Sequence, residues 1–570
     1  MIRHLRYLAG TLIRARLRGE ARRFAGLLSN CRNAQRQTLS RILELNAESY
    51  FSRRRGLNGS TSVYDFRRRM QISDFETIRD EIEELKRGNH QALLGNRNRL
   101  LMFALSSGTT SQAKYIPITT KFLSDYRRGW QVWGIHAMDS HRSLHFSDIV
   151  QLSSNHDQFR TSGGTPCGNI SGLVGAMQNR AVRTMYAVPN AVSRISDSCS
   201  KGYAALRCAM GNAHVGLVMT ANPSTLIQLS KAAHLHQNEL IRDIHNGTLS
   251  SNFEIAPQIR QQLRWGIGSP NRERAQELEL IAARTGTLRP CDVWPKLGMV
   301  AVWTGGSVGA YMEPMRRYLG DVPIRDHGLS ASEGRMTIPL SDGTSTGVLD
   351  ISSHFFEFIP EEEYETSQPT ILEAHELNEG RNYFILLTTV SGLYRYDIRD
   401  VVRCTGFVGD TPLLEFLHKG ANIASITGEK LSESQVVSAV RGGLNRLKLE
   451  LQHFTLSPIW GDPPRYRLHF EYGDLPTGDT HQQLATHVDA ELQESNVEYR
   501  EKRLSERLGP LECLAIPIGT WERYIRHRQS RLGASLEQYK HPCLVPSLEF
   551  SETLLTEFAA PKWPMDSKAA

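Results

Sequence analysis

Long apolar runs are missing from this 570-residue chain, and none approaches the length of a bilayer-spanning helix. Cysteine is also sparse. The eight that occur are scattered, with no Cys-x-x-Cys pair, which argues against a disulfide framework and against a zinc site. A reducing, cytoplasmic setting is the expectation. Twenty histidines are present, but they form no His-Glu-x-x-His. A zinc hydrolase therefore has little support. The Walker spacing of glycines, lysine and serine is absent as well. There is no internal repeat and no low-complexity tract, which sets aside solenoids and disordered linkers.

What remains is an ordinary globular composition, 40% hydrophobic and 22% charged, long enough for two or three domains. The net charge of +7 is unevenly placed. Arg3, Arg6, Arg14, Arg16, Arg18, Arg22 and Arg23 crowd the N-terminus, and Ile2, Leu5, Leu8, Leu12 and Ile13 recur at helical spacing. Such a helix serves as a targeting peptide, as a surface for nucleic acid or membrane, or as a structural helix packed on the body. Arginine continues past any transit-peptide length through Arg53-Arg54-Arg55, which favours packing.

Residues 1–95 read as helical, with a break at Gly56–Ser60 and helices at Asp65–Arg69 and Asp74–Leu85. From Leu100 the pattern turns to α/β. Strands are expected at Leu100–Leu105, Ile149–Leu152, Val215–Met219, Met299–Trp303, Gly347–Ile351, Phe355–Ile359 and Tyr383–Thr389, with helices at Thr225–Asn246, Asn271–Arg284 and Val308–Leu319. A smaller α+β unit begins near His418-Lys419-Gly420, with Ile423–Ile426, the helix Ser432–Leu447 and the strand Tyr466–Tyr472. Domains of 1–418 and 419–570 follow.

The richest chemistry lies in Ser106-Ser107-Gly108-Thr109-Thr110-Ser111-Gln112-Ala113-Lys114, directly after an apolar strand. Hydroxyls and backbone N–H groups on a tight loop surround phosphate oxygens, and Lys114 neutralises charge; a plain Ser/Thr-rich surface loop has the same composition. Gly328–Gly334 presents Glu333 among small and hydroxyl residues, either as a Mg²⁺ ligand against nucleotide phosphates or as an exposed turn glutamate. Trp303-Thr304-Gly305-Gly306-Ser307 follows a strand. Its glycines let backbone approach a flat ring or a phosphate, or let strand pack on helix. In Tyr394–Val402, Asp400 at a strand end suits two ribose hydroxyls, while Asp397 and Arg399 also read as a surface ion pair. Lys540 stands just before His541-Pro542, placed to stabilise a carboxylate and an α-phosphate, or merely solvated.

Together and in this order, Ser106–Lys114, Gly328–Gly334, Tyr394–Val402, Thr427–Glu433 and Gln538–Pro542 resemble the Gretchen Hagen family of acyl-acid amido synthetases, a branch of the adenylate-forming enzymes. Asn46–Arg53, Asp65-Phe66-Arg67 and Trp303–Gly306 support the match, and Gly428-Glu429-Lys430 makes it look closer to bacterial-type members than to the plant hormone-conjugating enzymes. The resemblance implies a large N-terminal α/β domain, a small mobile α+β C-terminal domain and a cleft between them. It puts Ser106, Ser107, Gly108, Thr109, Thr110 and Lys114 at the phosphates of ATP. It also puts Glu333 at Mg²⁺, Ser332, Gly305 and Gly306 near the nucleotide, Asp400 at the ribose, Lys419 at the hinge, and Lys540 at the reacting acyl phosphate. Three positions depart from the family pattern. Ser111 stands where glycine is common, Lys419 where arginine is common, and no arginine follows Pro542. The implied activity is ATP- and Mg²⁺-dependent adenylation of a carboxylic acid, then transfer to an amine such as an amino acid. Transfer to a thiol such as coenzyme A, or a non-catalytic binding role on the same fold, are the alternatives. Neither nucleic acid nor membrane is an expected partner, and the expected state is a monomer or weak homodimer.

Overall fold

The structure is a computed structural model that describes residues 7, 10–106, 114–178, 180–305, 312–364, 366–420, 423–451, 453–476, 478–532 and 541–559. It divides into two units, one formed by Met1–Ser106 with Lys114–Leu417 and the other by the chain from His418 onward.

The first unit is built around a parallel sheet ordered Asp148–Gln151, Val215–Met219, Met299–Val302, Ile324–Asp326. Its two central strands, Val215–Met219 and Met299–Val302, are apolar on both faces, as parallel strands covered on both sides must be. Alternation decides which core each side chain joins. Val150, Val218, Val300 and Val302 pack into one core with residues of the helices Ser198–Met210, Gln237–Asn246 and Arg272–Thr285. Ile149, Leu217, Met219, Met299 and Ala301 face the other core, which they share with a seven-stranded sheet. That sheet runs Thr337–Ile338, Gly347–Leu349, Thr411–Lys419, Tyr396–Val408, Asn382–Thr388, Phe355–Pro360, Leu372–Glu373.

The N-terminal helices are fastened to this sheet by buried polar side chains. On the helix Cys31–Leu45, Gln35 donates to the carbonyls of Ile351 and His354 and accepts from Phe356 N–H, each at 2.8 Å. Asn46 donates to Val390 O and accepts from Gly95 N–H and from Asn98. Arg67, on the helix Val63–Arg69, meets Glu357 at 2.8 Å; Arg395 meets the other oxygen of that carboxylate at 2.9 Å.

The basic N-terminal helix, Thr11–Leu27, is packed as expected but on a different face. Leu12 is 84% exposed and Ile13 50% exposed, while Ala21 and Phe24 are buried and Leu17 packs beside them. Arg18 grips Asp139 of the helix Thr120–Ser140 with two hydrogen bonds. Arginine aliphatic stems and small residues line such a contact, so the apolar count alone misplaced the face. Ile2, Leu5 and Leu8 lie outside the described residues. The expected helix Thr225–Asn246 is two, Pro223–Leu235 and Gln237–Asn246, broken at His236, whose ring edges onto Tyr203 and Phe253. Within the Thr225–Asn246 window apolar periodicity runs through the break, and only the aromatic contact reveals it.

The second unit is a small α+β body. Its sheet places Arg465–Glu471 between antiparallel Thr455–Ile459 and parallel Glu512–Ile516, under the helices Glu433–Leu447 and Asp479–Ser495. Glu429 is fully buried there. Its carboxylate accepts from the N–H groups of Ile426 and Thr427 and from the hydroxyls of Thr427 and Tyr466. Among the described residues no helix is long and apolar enough to cross a membrane.

Glu357 neutralises two arginines in a buried setting. Glu357→Ala is expected to cost about 3–5 kcal/mol, because an uncompensated buried cation remains. Urea unfolding checks this, and a parent-like midpoint would mean that water reaches the pair.

Candidate active site

Two loops follow the carboxyl ends of adjacent parallel strands, the usual position of ligand sites in open α/β sheets. After Met299–Val302 comes Trp303–Gly305, and after Ile324–Asp326 comes His327–Glu333. Asp326 ties them together. One carboxylate oxygen accepts from Thr304 N–H at 2.5 Å and from its hydroxyl at 2.7 Å, and the other accepts from Gly328 N–H at 2.5 Å. Burial pushes the Asp326 carboxyl pKa upward, and these hydrogen bonds oppose that shift. Trp303 Nε1 completes the tie by donating to Gly328 O at 3.1 Å. Gly328 has φ +86°, and a Cβ on it would lie 2.3 Å from Thr337 O, so no other residue fits.

Ser332 and Glu333 form the turn of a small hairpin, Ser330–Ala331 with Gly334–Arg335. Glu333 is only 8% exposed and takes no hydrogen bond from any described residue. That degree of burial excludes the exposed-turn alternative. Arg335, two residues on, is fully buried, donating to His327 O at 2.6 Å, with its guanidinium 4.2 Å over the Trp130 ring. Burial lowers its pKa to about 10.

Asp400 is buried inside the strand Tyr396–Val408, not at a strand end as expected. The register explains its special position. Phe384 pairs with Val401 but Leu386 pairs with Asp397, so residues 398–400 form a bulge. Asp397 is no simple surface ion-pair partner: it accepts from Tyr364 OH at 2.6 Å and from Arg399 N–H at 2.7 Å. Glu333 acts on this strand electrostatically at Tyr396. Burial first, then the negative charges of Glu333, Asp74 and Asp397, push the Tyr396 phenol far up.

The other expected residues are placed less tightly. Ser106 and Lys114 face each other as the last pair of the antiparallel strands Leu100–Ser106 and Lys114–Thr119. They thus bracket the proposed phosphate loop, whose Ser107, Gly108, Thr109 and Thr110 lie outside the described residues, as do Gly306 and Lys540. A Cβ on Gly305 would stand 3.2 Å from Phe416 O and from Ser345, so close packing of strands by itself accounts for this glycine. Lys419 ends the strand Thr411–Lys419 and belongs to the second unit. Among the described residues no group of three or more His, Cys, Asp or Glu side chains could hold a metal. Asp326, His327, Arg335 and Tyr396 went unnoticed in the sequence because burial and unpaired donors leave no local signal.

This architecture, with loops on parallel strands beside a bulged antiparallel strand, is that of the adenylate-forming amide synthetases. A solved GH3.15 acyl acid amido synthetase matches it with a TM-score of 0.64 and 22% identity, over 94% of this chain and 95% of that one. The GH3 family N-terminal domain matches residues 20–324, the central domain 347–419 and the C-terminal domain 434–549. The chain belongs to the GH3 family. It is 24% identical to the indole-3-acetic acid-amido synthetase GH3.3 of Arabidopsis thaliana over 93% of each chain. It is 27% identical to GH3.5 of the same plant, over 94% of this chain and 93% of that one. Identity to the jasmonoyl-L-amino acid synthetase JAR4 of Nicotiana attenuata is 25%, over 92% and 93%. Like them it is a ligase of the amide-forming class.

Two buried histidines underlie the site, His327 with a pKa lowered to about 3 and His354 to about 4, chiefly by burial. Arg335 adds to the effect on His327; for His354, Arg41 and Arg128 lower it while Asp350 opposes them. Both are neutral in the fold and ordinary when unfolded, so the unfolded chain binds more protons between about pH 4 and the usual value of about 6.5. Stability should rise with pH through that window and fall by up to about 1.4 kcal/mol per unit per histidine on acidification. His354→Gln should remove about one proton from this slope. An unchanged slope in unfolding measured from pH 4 to 7 would show that His354 charges within the fold.

Proposed function

We propose that the protein adenylates a carboxylic acid with ATP and passes the acyl group to an amine, that of an amino acid. One observation carries this reading. A buried glutamate that takes no hydrogen bond from the described residues, Glu333, acts electrostatically on Tyr396 of the bulged strand that carries Asp400, and Asp326 ties together the two loops that follow the parallel strands. In the first step a carboxylate oxygen attacks the α-phosphorus and pyrophosphate leaves. In the second the amine nitrogen attacks the acyl carbon, AMP leaves and a proton is released. The protein supplies orientation and charge neutralisation and no covalent nucleophile.

Asp400 accepts the ribose hydroxyls. Ser106, Ser107, Gly108, Thr109, Thr110 and Lys114 hold phosphate oxygens, with Ser332 and the Gly305-Gly306 turn beside the nucleotide. A lone buried carboxylate fits Mg²⁺, which commonly takes one or two carboxylates together with substrate phosphates, and Glu333 would hold it. That ion, when bound, offsets the charge of the triphosphate. The C-terminal domain, 419–570, turns about Lys419 and brings Lys540 to the carboxylate and α-phosphate. A cytoplasmic monomer or weak homodimer, acting on small molecules alone, completes the reading.

The test is a panel of acids assayed for pyrophosphate release with and without amino acids; release with none of them would overturn the reading. Glu333→Gln keeps the shape but loses the charge, so the Mg²⁺ concentration needed for pyrophosphate release should rise; an identical Mg²⁺ dependence would free Glu333 from this role. Lys540→Ala should slow acyl-adenylate formation about 10²–10³-fold and affect amine attack on chemically made acyl adenylate much less. Equal losses in both assays would assign Lys540 to both steps.

A further inference from the structure

Among the described residues, five other than glycine have positive φ: Arg395, Arg399, Lys430, Lys448 and Glu506. Lys448 caps the end of the helix Glu433–Leu447, Lys430 follows the Gly428-Glu429 turn, and Glu506 follows the helix Val497–Leu504. Left-handed residues are common at such ends. Arg395, at φ +49°, and Arg399, at φ +59°, are different, because they accompany a β-strand.

The fold itself explains Arg395. Its N–H donates to the Thr388 hydroxyl, and its guanidinium is held by Glu357 and by Met70 O. Arg399 has no such explanation. Its backbone N–H donates to Asp397, but its guanidinium hydrogen-bonds or ion-pairs with no described residue. Glycine would adopt this backbone without strain. A strained arginine with nothing on the fold side to hold it points to function.

Tyr396 poses the same question three residues earlier. It is 1% exposed, and its hydroxyl has no partner. Phenylalanine would fill the space without leaving a buried donor unsatisfied. The charges that act on this hydroxyl are Glu333, Asp74 and Asp397, with Arg399 as the one cation among them. Glu333 directly precedes Gly334, where a Cβ would stand 3.1 Å from Leu387, the cross-strand partner of Tyr396, so the Tyr396 hydroxyl lies within electrostatic reach of the Glu333 carboxylate and of the unspent Arg399 guanidinium.

We propose that Arg399 and Tyr396 are nucleotide-binding residues that together take phosphate oxygens of ATP next to Glu333. The inference rests on the reading of Asp400 and Glu333 as nucleotide contacts. The planar guanidinium can hold a phosphate through two parallel hydrogen bonds, and the phenol adds a third donor at a dry site. A triphosphate brought against Glu333 meets like charge, and Arg399 offsets it from the strand side.

Calorimetric titration of ATP, of adenosine and of a non-hydrolysable ATP analogue, all in the absence of acid, tests this on the full chain. Arg399→Gly should weaken ATP about 10–100-fold and leave adenosine unchanged, while raising the thermal midpoint by about 1–2 °C through relief of strain. Tyr396→Phe should behave alike, with a smaller loss of affinity and no loss of stability. Arg399→Lys keeps the charge and the strain, so it should lose less ATP affinity at the parental midpoint. Asp400→Ala should weaken ATP and adenosine together. Parental ATP affinity in Arg399→Gly and Tyr396→Phe, with Asp400→Ala impaired, would overturn the inference alone. Parental affinity in all three would overturn the nucleotide reading of the strand with it. Equal losses for ATP and adenosine in Arg399→Gly would also reject a phosphate role.

Discussion

Glu357 is the constraint on which the large unit turns. A buried carboxylate placed between Arg67 and Arg395 ties a helix of the N-terminal segment to the strand Phe355–Pro360, next to the edge of the seven-stranded sheet. It also sets where the strand Tyr396–Val408 begins, because Arg395 is held at three points and delivers the chain into that strand at a fixed angle. Low dielectric makes the arrangement all-or-none. Fully paired it specifies a unique geometry, and half-paired it would be costly. Everything the strand presents afterwards, from Tyr396 to Asp400, inherits its position from that clamp.

Asp326 does the corresponding work at the ends of the parallel strands. It spends both oxygens on the backbone and side chain of the two loops that flank the site, so those loops move as one piece. The division of labour is physical. Carboxylates that satisfy backbone donors build the scaffold, whereas Glu333 takes no hydrogen bond from the described residues.

Several segments that carry the family resemblance serve the fold. Asn46 bridges Val390 O, Gly95 N–H and Asn98; Arg67 supports Glu357; Glu429 closes a turn in the small unit with four hydrogen bonds. Their specificity as a signature therefore does not mark them as chemistry. A family pattern records every position with few acceptable substitutes, and a buried polar side chain with three or four partners is such a position as surely as a substrate contact.

Much was already decided along the chain. Apolar runs and their periods set the strands Leu100–Ser106, Val215–Met219 and Met299–Val302 and the helices Arg272–Thr285 and Glu433–Leu447, with Asn271 and Ser432 as their caps. The order of motifs sufficed to indicate the family. Local sequence acts over a few residues, and these features are local. The exposed face of the N-terminal helix, the break at His236, the bulge around Asp400 and the burial of Glu333 and Arg335 depend on partners tens to hundreds of residues away. Burial, register and unmet hydrogen-bonding capacity arise only when those partners come together, so only the tertiary structure separates Arg395, held by the fold, from Arg399, which the fold leaves unheld.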